Sequence, residues 1–178
     1  MATKTWALDP THSEVQFKIK HLMITNVTGS FDIFTVSAQT EGEDFSKAKI
    51  SFTADVNSIS TNNEQRDGHL KSADFFDAEK FPQIKFEATK SENVDSDGSY
   101  ELYGDLTIRD VTKNVKLSVE FGGVVQDAYG NTKAGFTING KINRKDFGLT
   151  WSAVTEAGGV VVSDEVRITA EIQLIEQA

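Results

Sequence analysis

Apolar residues recur at every second position over long stretches of this chain. Val15, Phe17 and Ile19, with His21 closing the same face, alternate with Gln16, Lys18 and Lys20. Successive side chains of an extended strand point to opposite faces, so a period of two predicts a strand buried on one side. The same period returns over 48–56, with Ala48, Ile50, Phe52, Ala54 and Val56 on one face, and over 84–89, with Ile84, Phe86 and Ala88. Four further runs follow: 100–108, which includes Leu106; 115–121; 134–142, which includes Phe136 and Ile138; and 166–174. In 31–38 the parity changes, because Phe31 and Ile33 share one face while Phe34, Val36 and Ala38 share the other. That change predicts a bulge or burial on both faces. Eight strands result, with reversals at Asp95-Ser96-Asp97-Gly98-Ser99 and Asp127-Ala128-Tyr129-Gly130-Asn131 that make neighbours antiparallel.

Only 61–81 breaks the alternation. Thr61-Asn62-Asn63-Glu64 has the form of a capping box, which predicts a short helix. Gly68 weakens that helix by about 1 kcal/mol, and Pro82 closes the segment before the next strand.

Eight strands with one apolar face must bury it, either in a two-sheet sandwich or in a closed barrel. Alternation alone does not separate the two. The same presumed face mixes Phe17, Phe52, Phe86 and Phe136 with Ala48, Ala54, Ala88, Gly104, Ala134, Gly140 and Ala170. In a sandwich such small residues would receive large ones from the opposite sheet; in a barrel they leave room for one ligand. The reading adopted is an all-β, eight-stranded antiparallel barrel spanning 1–178 as one domain, with a short helix in 61–81. A cavity lined this way favours an apolar guest, since burial contributes about 0.8 kcal/mol per CH₂ group and a chain of roughly ten carbons needs no polar contact.

Composition narrows the partners. The formal net charge is -9, and basic residues are interleaved with acidic ones along the sequence, which argues against nucleic acid and against an anionic membrane. Cysteine is absent, so sulfur informs neither the redox compartment nor a metal site. No apolar run approaches the roughly 18–20 residues that span a bilayer, so no stable membrane insertion is expected. The opening Met1-Ala2-Thr3-Lys4-Thr5-Trp6 lacks a signal-peptide core, which predicts a cytoplasmic protein; a chain whose leader had been removed would read the same way. A homodimer is left open.

Few residues invite chemistry. His12, His21 and His69 lie too far apart in sequence for the spacing that fixes two metal ligands on one element. Ser13 beside His12 lacks a nucleophile-elbow context, and Gly158-Gly159 lacks the phosphate-loop residues that would follow it. Arg66 and Asp67 fit either a guanidinium and partner greeting a polar head group or an ion pair pinning the helix over the barrel. Phe75 and Phe76 fit either a gate or a plug, and Trp151 a boundary between tail and head group or ordinary core.

Specific strings resemble the YceI-like family, bacterial lipocalin-like barrels described as polyisoprenoid-binding. They begin with Trp6-Ala7-Leu8-Asp9-Pro10-Thr11-His12-Ser13 and Gly29-Ser30-Phe31, and are densest in Ser58-Ile59-Ser60-Thr61-Asn62 and from Arg66-Asp67-Gly68-His69-Leu70 through Phe75-Phe76. They continue in Gly104-Asp105-Leu106-Thr107-Ile108 and Asn143-Arg144-Lys145-Asp146-Phe147-Gly148. Asp110 and Asn114 depart from the Gly and Pro common in the family, within one turn. The resemblance implies an elongated barrel that takes an isoprenoid tail, no cofactor chemistry and, since many members are exported, a periplasmic alternative for location. The expected ligand-binding residues are Phe17, Ile19, His21, Phe31, Ile33 and Phe52, then Ala54, Phe86, Leu106, Phe136 and Ile138, with Arg66, His69 and Trp151. The expected function is non-catalytic transport or storage of an isoprenoid quinone, polyprenyl chain or similar lipid. The alternative is a structural or interaction domain with a filled core.

Overall fold

A computed structural model describes residues 2–22, 24–149 and 162–177. Trp151 and the Gly158-Gly159 pair lie outside the described residues. The strands are β1 (Thr3–Leu8), β2 (Glu14–His21), β3 (Thr25–Phe31), β4 (Phe34–Glu41), β5 (Asp44–Asp55) and β6 (Ile59–Ser60). After helix α1 (Glu64–Lys71) come β7 (Gln83–Glu92), β8 (Tyr100–Ile108), β9 (Val111–Gln126), β10 (Thr132–Asn143) and β11 (Val162–Glu176). Every pairing is antiparallel, and β11 closes the ring by pairing with both β1 and β2.

The eleven strands occupy eight wall positions of a closed, lipocalin-like barrel, because three walls are built in two pieces. β1 and β2 form the first, interrupted by a single 3-10 turn at Pro10–His12. Asp9 caps that turn, accepting from the Thr11 amide at 3.2 Å, and Pro10 occupies the first position, where a missing N–H costs nothing. β3 pairs with β2 and β4 with β1, so these two form the second wall; β5 and β6 form the third.

The break between β3 and β4 is the physical cause of the parity change in 31–38. Phe31 faces in, the chain bends at Asp32 and Ile33, and Phe34, Val36 and Ala38 face in again. Ile33 is thereby turned outward and is 61% exposed, so it does not line the interior as expected from its parity with Phe31. β1 was not legible as a strand, since only Trp6 and Leu8 mark its inner face.

One end of the barrel is plugged. The rings of Trp6, Phe45 and Phe136 pack in series, tilted and then edge-on, at centroid separations of 4.9 Å, and Phe121 packs 5.4 Å from Phe136. The one polar edge in this cluster is satisfied, as Trp6 Nε1 donates to Thr40 Oγ1 at 2.9 Å. At the other end α1 and the turns after it lie over the opening. The N-cap of α1 is Asn63, whose Oδ1 accepts from the Arg66 amide at 3.0 Å, rather than Thr61 as the capping-box form predicts. Thr61 is diverted by stronger, charge-assisted partners.

Two small residues taken as space-makers prove to be packing sites. A side chain at Gly104 would run into the ring of Phe86, and one at Gly140 would meet Leu117 Cδ2 at 2.5 Å. The interior left open therefore owes nothing to either glycine.

Candidate functional site

Among the described residues the barrel interior holds two chambers arranged end to end. The upper one, beneath α1, has a volume of about 310 Å³, at the lower edge of the range usual for small-molecule pockets. The lower one, above the aromatic plug, has about 140 Å³. Val15, Phe52, Leu106 and Ile168 line both, and so form the collar between them. The period-two pattern produces this directly: each collar residue is the inward member of its own strand.

The lower chamber is lined by aliphatic and aromatic side chains alone, among them Phe86, Phe136 and Ile138. Its single hydroxyl belongs to Tyr100, whose pKa burial pushes up to about 12, with Asp44 adding to the effect, so the phenol stays neutral. The upper chamber has an apolar floor made by Phe17, Ile19, Phe31 and Ala54 and a polar rim made by His21, Thr61, Arg66, His69 and Arg144. The site is thus amphipathic along its length.

Thr61 organises one side of the rim. Asp67 Oδ1 accepts from its amide at 2.9 Å and from its hydroxyl at 2.5 Å. Arg66 Nε donates to the same hydroxyl at 2.8 Å and Nη2 to the Thr61 carbonyl at 2.7 Å. Arg66 and Asp67 thus meet through Thr61 rather than as a direct ion pair, and together they strap α1 to β6. His69 Nε2 lies 2.8 Å from Asp74 Oδ2, and its ring stacks edge-on against Phe75. Phe75 and Phe76 both line the upper chamber, and Phe76 packs against Phe31.

Arg144 forms the other side of the rim. Its guanidinium is almost fully buried, with Nε donating to the Ser163 carbonyl at 2.9 Å and Nη1 to the Leu149 carbonyl at 2.6 Å. Burial lowers its pKa from the usual arginine value, while Asp164 opposes the shift. His12 is remote from all this: its Nδ1 lies 2.9 Å from Asp9 Oδ2 at the plugged end. Among the described residues no group of three His, Asp or Glu side chains is placed to hold a metal ion.

The model of the YceI-like domain matches residues 6–174. The chain belongs to the YceI-like family. A UPF0312 protein of Staphylococcus aureus is 39% identical over 169 residues, covering 94% of this chain and 95% of that relative. The crystal structure of the Campylobacter jejuni YceI protein superposes with a TM-score of 0.76 at 36% identity, over 96% of this chain and 97% of the other. A polyisoprenoid binding domain from Saccharophagus degradans, implicated in plant cell wall breakdown, shares the fold at a TM-score of 0.63 and 15% identity, over 97% of this chain and 98% of that one.

In this YceI-like barrel the cavity gathers most of the residues expected to line it. Phe17, Ile19, His21, Phe31, Phe52, Ala54, Leu106, Arg66 and His69 surround the upper chamber, and Phe86, Phe136 and Ile138 the lower. Ile33 is excluded by the bend that turns it outward. Residues that sequence reasoning missed include the collar residues Val15 and Ile168 and the rim residues Thr61 and Arg144. The first two carried the alternating signal already; Arg144 was visible only as part of the string 143–148, with nothing in it to announce a buried guanidinium.

Proposed function

We propose that this YceI-like protein binds a long apolar small molecule inside the barrel and carries or stores it without chemical change. The observation that carries the reading is the axial division of the cavity, with a lower chamber of aliphatic and aromatic side chains continuing into an upper chamber that gathers His21, Thr61, Arg66, His69 and Arg144 at its rim. Such a site suits a molecule with a hydrocarbon tail and a small polar head: tail toward Phe45 and Phe136, head among Thr61, Arg66, His69 and Arg144. Isoprenoid quinones and polyprenyl chains have this form, and the polyisoprenoid binding of the domain from Saccharophagus degradans on the same fold supports that class. The two chambers count against a domain with a filled core, and a binding protein accounts for the rim without invoking a nucleophile or a general base.

Loading the delipidated protein with a fluorescent polyene fatty acid, then displacing it with a polyprenol, a long-chain ubiquinone or a sugar, tests the reading. Displacement by both isoprenoids and not by the sugar is expected. A folded sample that takes up no apolar probe contradicts it.

A further inference from the structure

Strand register sorts the outward charges of the barrel in a way the sequence conceals. On the wall formed by β2, β11, β10 and β9, Glu14 lies opposite Glu171, Glu171 opposite Thr137 and Thr137 opposite Glu120. The next row is neutral: Gln16, Thr169, Asn139 and Ser118. The row after that is cationic, with Lys18 opposite Arg167 and Arg167 opposite Lys141, while Lys116 follows the last β9–β10 pair, Gly140 with Leu117. Lys18, Arg167, Lys141, Lys116 and Lys113 line one shallow hollow on the outside of the barrel with, among the described residues, a single carboxylate, Asp146. Glu165 reaches Arg167 at 3.3 Å, and Asp164 is occupied by Lys145 at 3.4 Å and Arg144 at 3.7 Å. Like charges directly opposite one another destabilise a sheet, so such a row in a chain of net charge -9 calls for an anionic counterpart.

The acidic row lies toward the plugged end and the cationic row toward the end where His21 and Val162 line the upper chamber. Immediately beyond His21, the β2–β3 hairpin presents Leu22, 39% exposed, and Ile24, 77% exposed. Lys20 points outward between this tip and the cationic row, and the tip lies about 13 Å along the strand from Lys18. An apolar tip beside a basic face is the combination that holds peripheral proteins at anionic lipid, where acyl chains take the tip and headgroup phosphates the cations.

We propose that this end of the barrel docks on an anionic bilayer surface, with Leu22 and Ile24 inserted and the row of Lys18, Arg167 and Lys141 against the phosphates. The end that carries α1 and the upper chamber then faces the membrane and the acidic row faces away from it. The surface lies outside the cavity and is tested without cargo, so it stands or falls separately from the ligand reading.

The test is co-sedimentation of the full chain with vesicles of phosphatidylcholine alone or mixed with phosphatidylglycerol, at low and high salt. Binding to the mixed vesicles only, suppressed by salt, is expected. The exposed double variant Lys18→Gln/Lys141→Gln and the single variant Ile24→Ser should each lower partitioning on the order of tenfold, with unchanged circular dichroism. Equal partitioning onto both vesicle types, or no partitioning, overturns the proposal. Vesicle binding unaffected by Ile24→Ser and matched by binding to soluble heparin also overturns it, assigning the row to a soluble polyanion. Should the double variant misfold, Ile24→Ser decides alone.

Discussion

The ring of Phe86 occupies the place that any side chain at position 104 would need, so Gly104 is the socket for Phe86 and not part of the cavity. Phe86 pairs across strands with Leu106, and its ring leans over Gly104, the partner of Ala88. Gly104→Ala should therefore destabilise the barrel by about 1–3 kcal/mol through overpacking. Because Phe86 also lines the lower chamber, the displaced ring should intrude there and weaken uptake of long probes while leaving the upper chamber open. Thermal unfolding and probe titration together check this; unchanged stability would show that the ring is not seated there.

Ala54 is the contrasting small residue. It is buried, on β5, and lines the upper chamber directly. Ala54→Phe should place its ring in that chamber and weaken probe binding at least tenfold, at a stability cost within the same roughly 1–3 kcal/mol as overpacking elsewhere. Retained binding would remove the upper chamber from the ligand site.

The walls were legible because period-two alternation is a direct consequence of strand geometry, and even the flaw in 31–38 was visible as a change of parity. Closure was not, because alternation describes one strand at a time and says nothing of β11 reaching both β1 and β2. Small residues were misleading for a related reason: Ala54 and Gly104 look alike in sequence, and only the neighbour across the strand decides whether space is left or filled. The same holds outside the barrel, where Lys18, Arg167 and Lys141 lie on three different strands, far apart in sequence, yet stand in one row. At the rim, Arg66 and Asp67 were identifiable as a motif, but the shared partner Thr61 was not, since a buried threonine carries no sequence signal of its own.

The strap on α1 has a dynamic consequence. Asp67→Ala removes Oδ1, the one oxygen that accepts from both the Thr61 amide and its hydroxyl, at a cost of about 1–3 kcal/mol if the buried donors stay unmet. Because α1 packs on the rest of the barrel mainly through β6, the loss should be local. Amide hydrogen exchange in 64–71 should accelerate while that of β8 and β9 stays slow, and release of a loaded probe should quicken. Uniform acceleration across the barrel would mean that α1 and the walls open as one unit.

Acid should attack the other end. The Asp9 carboxyl is held well below the usual carboxylate range, first by the hydrogen bond from Lys133, then by His12 and Thr11. Lys133 Nζ lies 2.6 Å from Asp9 Oδ2 and joins the β9–β10 hairpin side of the barrel to the corner after β1. A carboxyl whose pKa is depressed on folding adds stability that is present above its unfolded value and is lost as the pH falls through the folded one. The wild-type protein should therefore lose stability on acidification below about pH 4. Asp9→Asn should be less stable at neutral pH and show a flatter dependence over that acid range. Parallel stability curves for the two proteins would contradict the assignment.

The central claim is that the two chambers hold a long apolar molecule with its polar end at the rim. The most direct measurement is native mass spectrometry of protein purified without detergent, followed by solvent extraction and identification of what is released. A single class of adduct carrying a long hydrocarbon chain, lost from Ala54→Phe, is the predicted result. An adduct-free protein that also fails to take up polyprenol or quinone when offered would contradict the account.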